Sequence, residues 1–225
     1  FFLYLAFGAT HAPHQAPQSY VDKYKGRFDA GWDATRQQWY ERQKQLGIIP
    51  PNTELAPRND GVEPWDKLPE SQKKLALKLQ EAFAAFLDHT DAQIGRLVSF
   101  LSEIGQLDNT LILLMSDNGA SQEGGPLGML NAMGPYNFRW ETMEEKKRLL
   151  GLVGGPKSHS NFPLGWAMAC NTPLRRYKQN THGGGIRDPL VVSWPKGIAA
   201  RGELRHQFAH VSDLLPTLLD VLQVT

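Results

Sequence analysis

Apolar and polar positions along the chain alternate between short apolar runs and longer stretches of helical period. Phe1-Phe2-Leu3-Tyr4-Leu5-Ala6-Phe7 is continuously apolar, which predicts a strand covered on both faces. Gly8 ends it and a His- and Pro-rich loop, Ala9 to Pro17, follows. From about Ser19 to Leu46 the period is helical, anchored by Trp32 and Trp39. Gly47 to Pro69, rich in Pro, Asn and Asp, reads as a surface excursion. The clearest helix runs from about Glu70 to Ile104: Leu75, Leu79, Phe83, Phe86, Ile94, Leu97, Leu101 and Ile104 recur mostly three or four apart. Gly105 is its expected C-cap, and the helix either runs through or breaks near Asp88 to Asp91.

Asn109 to Met115 predicts a second buried strand, ending at Ser116-Asp117-Asn118-Gly119. Glu123 to Ala169 is rich in Gly, Pro and Trp without clear period and reads as an insertion or lid. Pro189 to Trp194 predicts a third strand, and an amphipathic helix from about Ser212 closes the chain. Helices alternating with short apolar strands indicate an α/β layered domain. Ligand sites in such domains sit at the carboxyl ends of strands.

Composition narrows the picture. A formal net charge of +1 over 225 residues gives no electrostatic case for nucleic acid or an anionic membrane. A single cysteine, Cys170, excludes an intrachain disulfide framework. The first residues include neither Met nor the basic lead-in of a signal peptide, and the apolar run is too short to span a bilayer. The chain is therefore expected to be an N-terminally truncated portion of something longer, with compartment (bacterial cytoplasm or periplasm) and oligomeric state left open.

Three clusters carry chemistry. Thr10-His11-Ala12-Pro13-His14 offers two imidazoles, the side chain most readily tuned near neutral pH, or simply two polar loop histidines. Asp117-Asn118-Gly119 places a carboxylate and an amide oxygen side by side, suiting a hard cation such as calcium or magnesium, or forms a plain Asx turn. Lys178 to Pro189 sets a lysine before His182 and Gly183-Gly184-Gly185, a turn that can hold an anionic oxyester or one that merely precedes a strand. A cation site, a lysine and a histidine at three strand ends could converge on one anionic group, as phosphoryl or sulfuryl transfer requires.

The clusters, in this order, resemble type I sulfatases, the formylglycine-dependent family that includes bacterial arylsulfatases within the alkaline-phosphatase-like superfamily. The likeness lies in Tyr4-Leu5-Ala6-Phe7 leading to Ala9-Thr10-His11-Ala12-Pro13-His14-Gln15-Ala16-Pro17, in Leu111 to Ser121, in Arg176 to Gly184, and in His210-Val211-Ser212-Asp213-Leu214-Leu215-Pro216-Thr217. It covers nearly the whole chain. The resemblance implies an α/β, alkaline-phosphatase-like layered fold with a central mixed, mainly parallel sheet. Residues 1–225 would be the central part of one catalytic domain, with the irregular insertion at about 123–169.

It further implies a sulfuric ester hydrolase that cleaves aryl sulfates. Asp117 and Asn118 would ligate Ca2+ (or Mg2+). His11 and Lys178 would bind the sulfate and assist the leaving oxygen, with His182 beside the turn as a further substrate contact. His14 departs from the apolar residue many sulfatases carry there. The partner is a small sulfate ester, with no nucleic acid and no membrane span.

The family's nucleophile comes from a Cys or Ser in C/S-x-P-x-R. Cys170 does not fit, because Pro173 and Arg175 stand one place too far along, and it reads as an ordinary buried thiol. Neither that motif nor the family's N-terminal aspartate pair occurs in this sequence, so the isolated chain is expected to be inactive towards aryl sulfates. Other readings stay open: a phosphonate or phosphate monoester hydrolase of the same superfamily, a non-catalytic anion-binding relative, or a helical interaction module. Tyr136, Phe138, Trp140 and Trp166 either line an aryl pocket or pack beneath a loop.

Overall fold

The computed structural model describes residues 1–224. Seven helices and two strands follow in the order α1 (Gln18–Tyr24), α2 (Gly31–Gln45), α3 (Glu70–Glu103), β1 (Ile112–Met115), α4 (Met143–Leu149), α5 (Leu164–Cys170), α6 (Gly183–Ile186), β2 (Leu190–Ser193) and α7 (Leu214–Val221), with short 3-10 turns between some of them.

The spine is α3, one unbroken helix of 34 residues, about 51 Å long at 1.5 Å per residue. Its apolar period predicted it, and the run has no break at Asp88 to Asp91. Its end is set by Gly105, whose φ of +67° follows the C-cap Ile104. Gln106 N–H reaches back to the Leu101 carbonyl at 2.8 Å and Gly105 N–H to Ser102 at 3.0 Å, the paired bonds of a Schellman stop. The first half of α3 is the buried half: Leu75, Ala76, Leu79, Ala82 and Ala85 face the core.

Against that half pack α1, α5 and the segment before α5. Leu79, Phe162, Trp166 and Met168 are fully buried. Trp32 on α2, Trp65 and Trp166 form a cluster with ring centroids 4.8 to 6.0 Å apart. Burying an indole strands its N–H unless a carbonyl receives it. Trp166 Nε1 donates to Ala76 O at 2.9 Å and Trp32 Nε1 to Glu63 O at 3.1 Å, so both polar tips are satisfied.

Several expectations from the pattern need correction. The run Phe1 to Phe7 forms no strand and is largely exposed. A strand needs a ladder partner for its backbone groups, and no other described residue offers one. The helix expected over 19–46 is two helices, α1 and α2, separated by a run of turn residues that contains Gly26 at positive φ. The strands after Asn109 and Pro189 exist, but they pair with each other, antiparallel, with Ile112 opposite Ser193 and Met115 opposite Leu190. They are the only sheet among the described residues; β1, expected to be buried, is half-buried at Ile112 and Leu113 and exposed at Leu114 and Met115, and β2 is exposed throughout. The mixed α/β composition thus stands, while the parallel strands of the expected sheet are not among the described residues. The segment 123–169 is not wholly irregular: it holds α4, opened by a Thr142–Glu145 capping box, and most of α5.

Candidate functional site

The antiparallel pairing has a direct consequence for the site. Because Met115 lies opposite Leu190, the turn that leaves β1 sits beside the residues that enter β2. Gly119 N–H donates to Gly185 O at 3.3 Å, and Lys178 N–H donates to Ala120 O at 3.1 Å. Close approach is possible because position 119 has no side chain: a Cβ there would overlap the Gly184 carbonyl. Asn171, at the end of α5, fastens both sides. Its Oδ1 accepts from Ala120 N–H at 2.9 Å and its Nδ2 donates to Arg176 O at 3.0 Å.

The histidine loop arrives from the other end of the sequence. His14 N–H donates to Ser160 O at 3.1 Å and Ala16 N–H to Gly154 O at 3.0 Å. The segment before α5 therefore holds the loop in place. The result is a contact between residues 167 apart in sequence: Lys178 Nζ stands 3.3 Å from His11 Nε2. His11 Nδ1 lies 2.9 Å from the Ala12 carbonyl, an acceptor only, so Nδ1 carries the proton when the ring is neutral. Nε2 is then the lone pair that accepts from Lys178.

A third member was not singled out by sequence reasoning. Glu123 Oε2 accepts from Lys178 Nζ at 3.2 Å and from Ser121 Oγ at 2.8 Å, and its Oε1 accepts from Gln179 Nε2 at 3.1 Å. Burial alone would raise this carboxyl. The hydrogen bonds from Ser121 and Lys178, with the charges of Lys178 and His11, outweigh that and hold it below the usual carboxylate range.

Asp117 is exposed at the strand end and Asn118 is half-buried. Asp188, just before β2, is held above its ordinary range by burial and then by the charge of Asp117. Carboxylate and amide oxygens are the hard donors that a divalent cation takes, and Asp117 and Asn118 stand side by side at this turn. Among the described residues no three His, Cys, Asp or Glu side chains converge as a full metal shell. Calcium takes six to eight oxygens, so further oxygens would have to complete it.

Other sequence candidates fall elsewhere. His182 is exposed at the N-cap of α6 and stands outside the His11–Lys178 contact. His14 is buried among Phe83, Phe86 and Phe162. Desolvation first, then the neighbouring His11 and His159, push its pKa down to about 3. It is a neutral packing residue. Burial pushes the Cys170 thiol up to about 12, so it is no thiolate at neutral pH. Trp166 belongs to the core, whereas Tyr136, Phe138 and Trp140 are exposed, which removes Trp166 from any aryl pocket. A cavity of about 480 Å³ does flank the histidine loop, and its lining is mixed: Gln15, Arg148, Ser158 and His159 with Leu130 and Leu149.

On this mixed α/β chain the fold thus brings Lys178 against His11, and the lysine segment against the residues that follow the Asp117–Asn118 turn. The chain belongs to the sulfatase family, whose model matches residues 1–224. It is 36% identical to an uncharacterized sulfatase of Schizosaccharomyces pombe, over all of this chain and 39% of that protein. It is 32% identical to the arylsulfatase of Klebsiella aerogenes, over 97% of this chain and 45% of that one. Human arylsulfatase A matches at 29% over 60% of the chain and 18% of its own length. The chain thus spans about two fifths of the length of the first two relatives. No helix among the described residues is long and apolar enough to cross a membrane.

Proposed function

We propose that the chain is part of a sulfate monoester hydrolase that cleaves aryl sulfates among others in the full-length protein, with Lys178 and His11 as the anchors of the sulfuryl group. The observation that carries this reading is the 3.3 Å approach of Lys178 Nζ to His11 Nε2 beside the Asp117–Asn118 turn. Two clusters far apart in sequence meet there, and the Lys178 ammonium is the donor they present to an oxyanion. The aryl class is suggested by relatives named arylsulfatase.

Breaking the S–O bond of an aryl sulfate leaves negative charge on the departing phenolate oxygen. A donor aimed at that oxygen stabilises the transition state more than the ground state. Lys178 has three N–H groups. One meets His11 and one meets Glu123, which leaves one for the ester. In this tautomer His11 offers no proton from Nε2, so the proton for the leaving oxygen is on Lys178 Nζ. Asp117 and Asn118, with Asp188 nearby, would hold a Ca2+ or Mg2+ ion. When bound it supplies charge that polarises the sulfuryl oxygens. The nucleophile that the family resemblance implies is a formylglycine.

The test is turnover of 4-nitrophenyl sulfate by a full-length protein that carries the formylglycine segment, with and without Lys178→Ala and His11→Ala. Each substitution is expected to lower kcat/KM by roughly 10²- to 10⁴-fold, the range for a positioned acid or oxyanion donor. Wild-type turnover that survives both substitutions would remove this reading. Robust turnover of an aryl phosphonate in place of the sulfate would favour the phosphonate hydrolase instead.

A further inference from the structure

Glu123 is an unexpected neighbour for an anion site, since a carboxylate beside the anchoring lysine repels the ligand. It is also held firmly. Three side chains from two segments donate to it: Ser121 Oγ, Gln179 Nε2 and Lys178 Nζ. Ser121 Oγ in turn accepts Glu123 N–H at 3.1 Å. The Lys178–Glu123 pair is largely shielded, at 20% and 27% side-chain exposure, so its charges are screened less than those of a surface pair.

We propose that Glu123 positions Lys178 and sets the charge preference of the site, favouring monoanionic sulfuryl esters over dianionic phosphoryl esters. The proposal rests on Lys178 and His11 being the anchors of the anion. The Lys178 ammonium meets a fixed carboxylate on one side and the His11 lone pair on another. Its remaining N–H is thereby directed, and its positive charge is already offset by one unit. A sulfate monoester brings one negative charge to such a place, whereas a phosphate monoester brings about −1.5 to −2 at neutral pH. Each ligand charge is repelled by Glu123, so the dianion is penalised about twice as much. An ion pair that served only to hold the fold together would not distinguish ligands by charge.

The experiment is calorimetric titration of the full chain at about pH 7.5, where a phosphate monoester is mostly dianionic. The probes are 4-nitrophenyl sulfate and 4-nitrophenyl methylphosphonate, each with one negative charge, and 4-nitrophenyl phosphate with two. In Glu123→Gln the affinity for the phosphate ester is expected to rise roughly three- to tenfold relative to the two monoanions, as for a partly shielded charge. Glu123→Asp, which keeps the charge, is expected to retain the wild-type ratio. Equal changes for all three probes, including their common loss, overturn the proposal. If Lys178→Ala abolishes binding while Glu123→Gln leaves the ratio untouched, the anchors stand and only the role of Glu123 falls. A wild-type chain that binds none of the three overturns the anchors and the proposal together.

Discussion

Gly119 lies so close to Gly184 that a single added methyl group would occupy the position of the Gly184 carbonyl. This contact joins the Asp117–Asn118 turn to the lysine turn, and it depends on the absence of a side chain. Backbone cannot move aside as a flexible side chain can. Gly119→Ala is therefore expected to destabilise the fold by about 1–3 kcal/mol, the usual cost of overpacking. Denaturant unfolding checks the stability, and sulfate-ester binding should weaken in the same variant. An unchanged midpoint would mean the two turns separate freely.

His14 gives the fold an acid sensitivity of defined sign. Its folded-state pKa is about 3, below the ordinary 6.5. The unfolded chain therefore binds a proton that the folded chain refuses, between those two values. Stability is unaffected above the unfolded pKa and falls as pH drops from 6.5 towards 3. The loss is of order several kcal/mol at the lower end. His14→Leu, in the same aromatic surroundings, should flatten the acid limb of a stability-against-pH curve relative to wild type. Equal slopes in the two proteins would contradict the burial described here.

Trp166 is fully buried and donates to the Ala76 carbonyl. Trp166→Ala is expected to cost about 3–5 kcal/mol by leaving a large cavity. Trp166→Phe should cost less, since most of the volume is kept and chiefly the hydrogen bond is lost. Thermal or urea unfolding separates the two, and the reverse order would count against the packing.

Calcium should stabilise the protein through Asp117 and Asn118. At a concentration 100-fold above Kd, the gain is about 2.7 kcal/mol, read as a rise in Tm that EDTA reverses. Asp117→Ala should abolish most of that rise. A calcium shift of equal size in Asp117→Ala would place the ion elsewhere.

The sequence revealed most where one local rule decides the outcome. The period of apolar residues and the glycine after Ile104 defined α3, because amphipathic helices carry their own pattern and their own stop signal. His11 and Lys178 were legible as chemistry, and the fold brings them together. Glu123 was not, because it begins a segment without period, and its role arises from contact with a residue 55 positions away. His14 could be read as loop chemistry until its three phenylalanine neighbours, two of them from α3, were in place. Phe1 to Phe7 has the composition of a strand, but composition supplies no ladder partner. The antiparallel β1–β2 pairing likewise depends on which strands are neighbours, and strand composition does not state that.

The stitching of the histidine loop to the segment before α5, through His14–Ser160 and Ala16–Gly154 backbone bonds, bears on how such a protein could be re-engineered. Residues 123–163 look like an exchangeable cassette, since they border the cavity and much of the stretch is loop. They also form the seam that sets where His11 stands. A cassette taken from a relative would carry its own seam and shift the imidazole away from Lys178. Chimaeras cut within this segment should thus work only when residues 11–16 travel with it as part of the same graft.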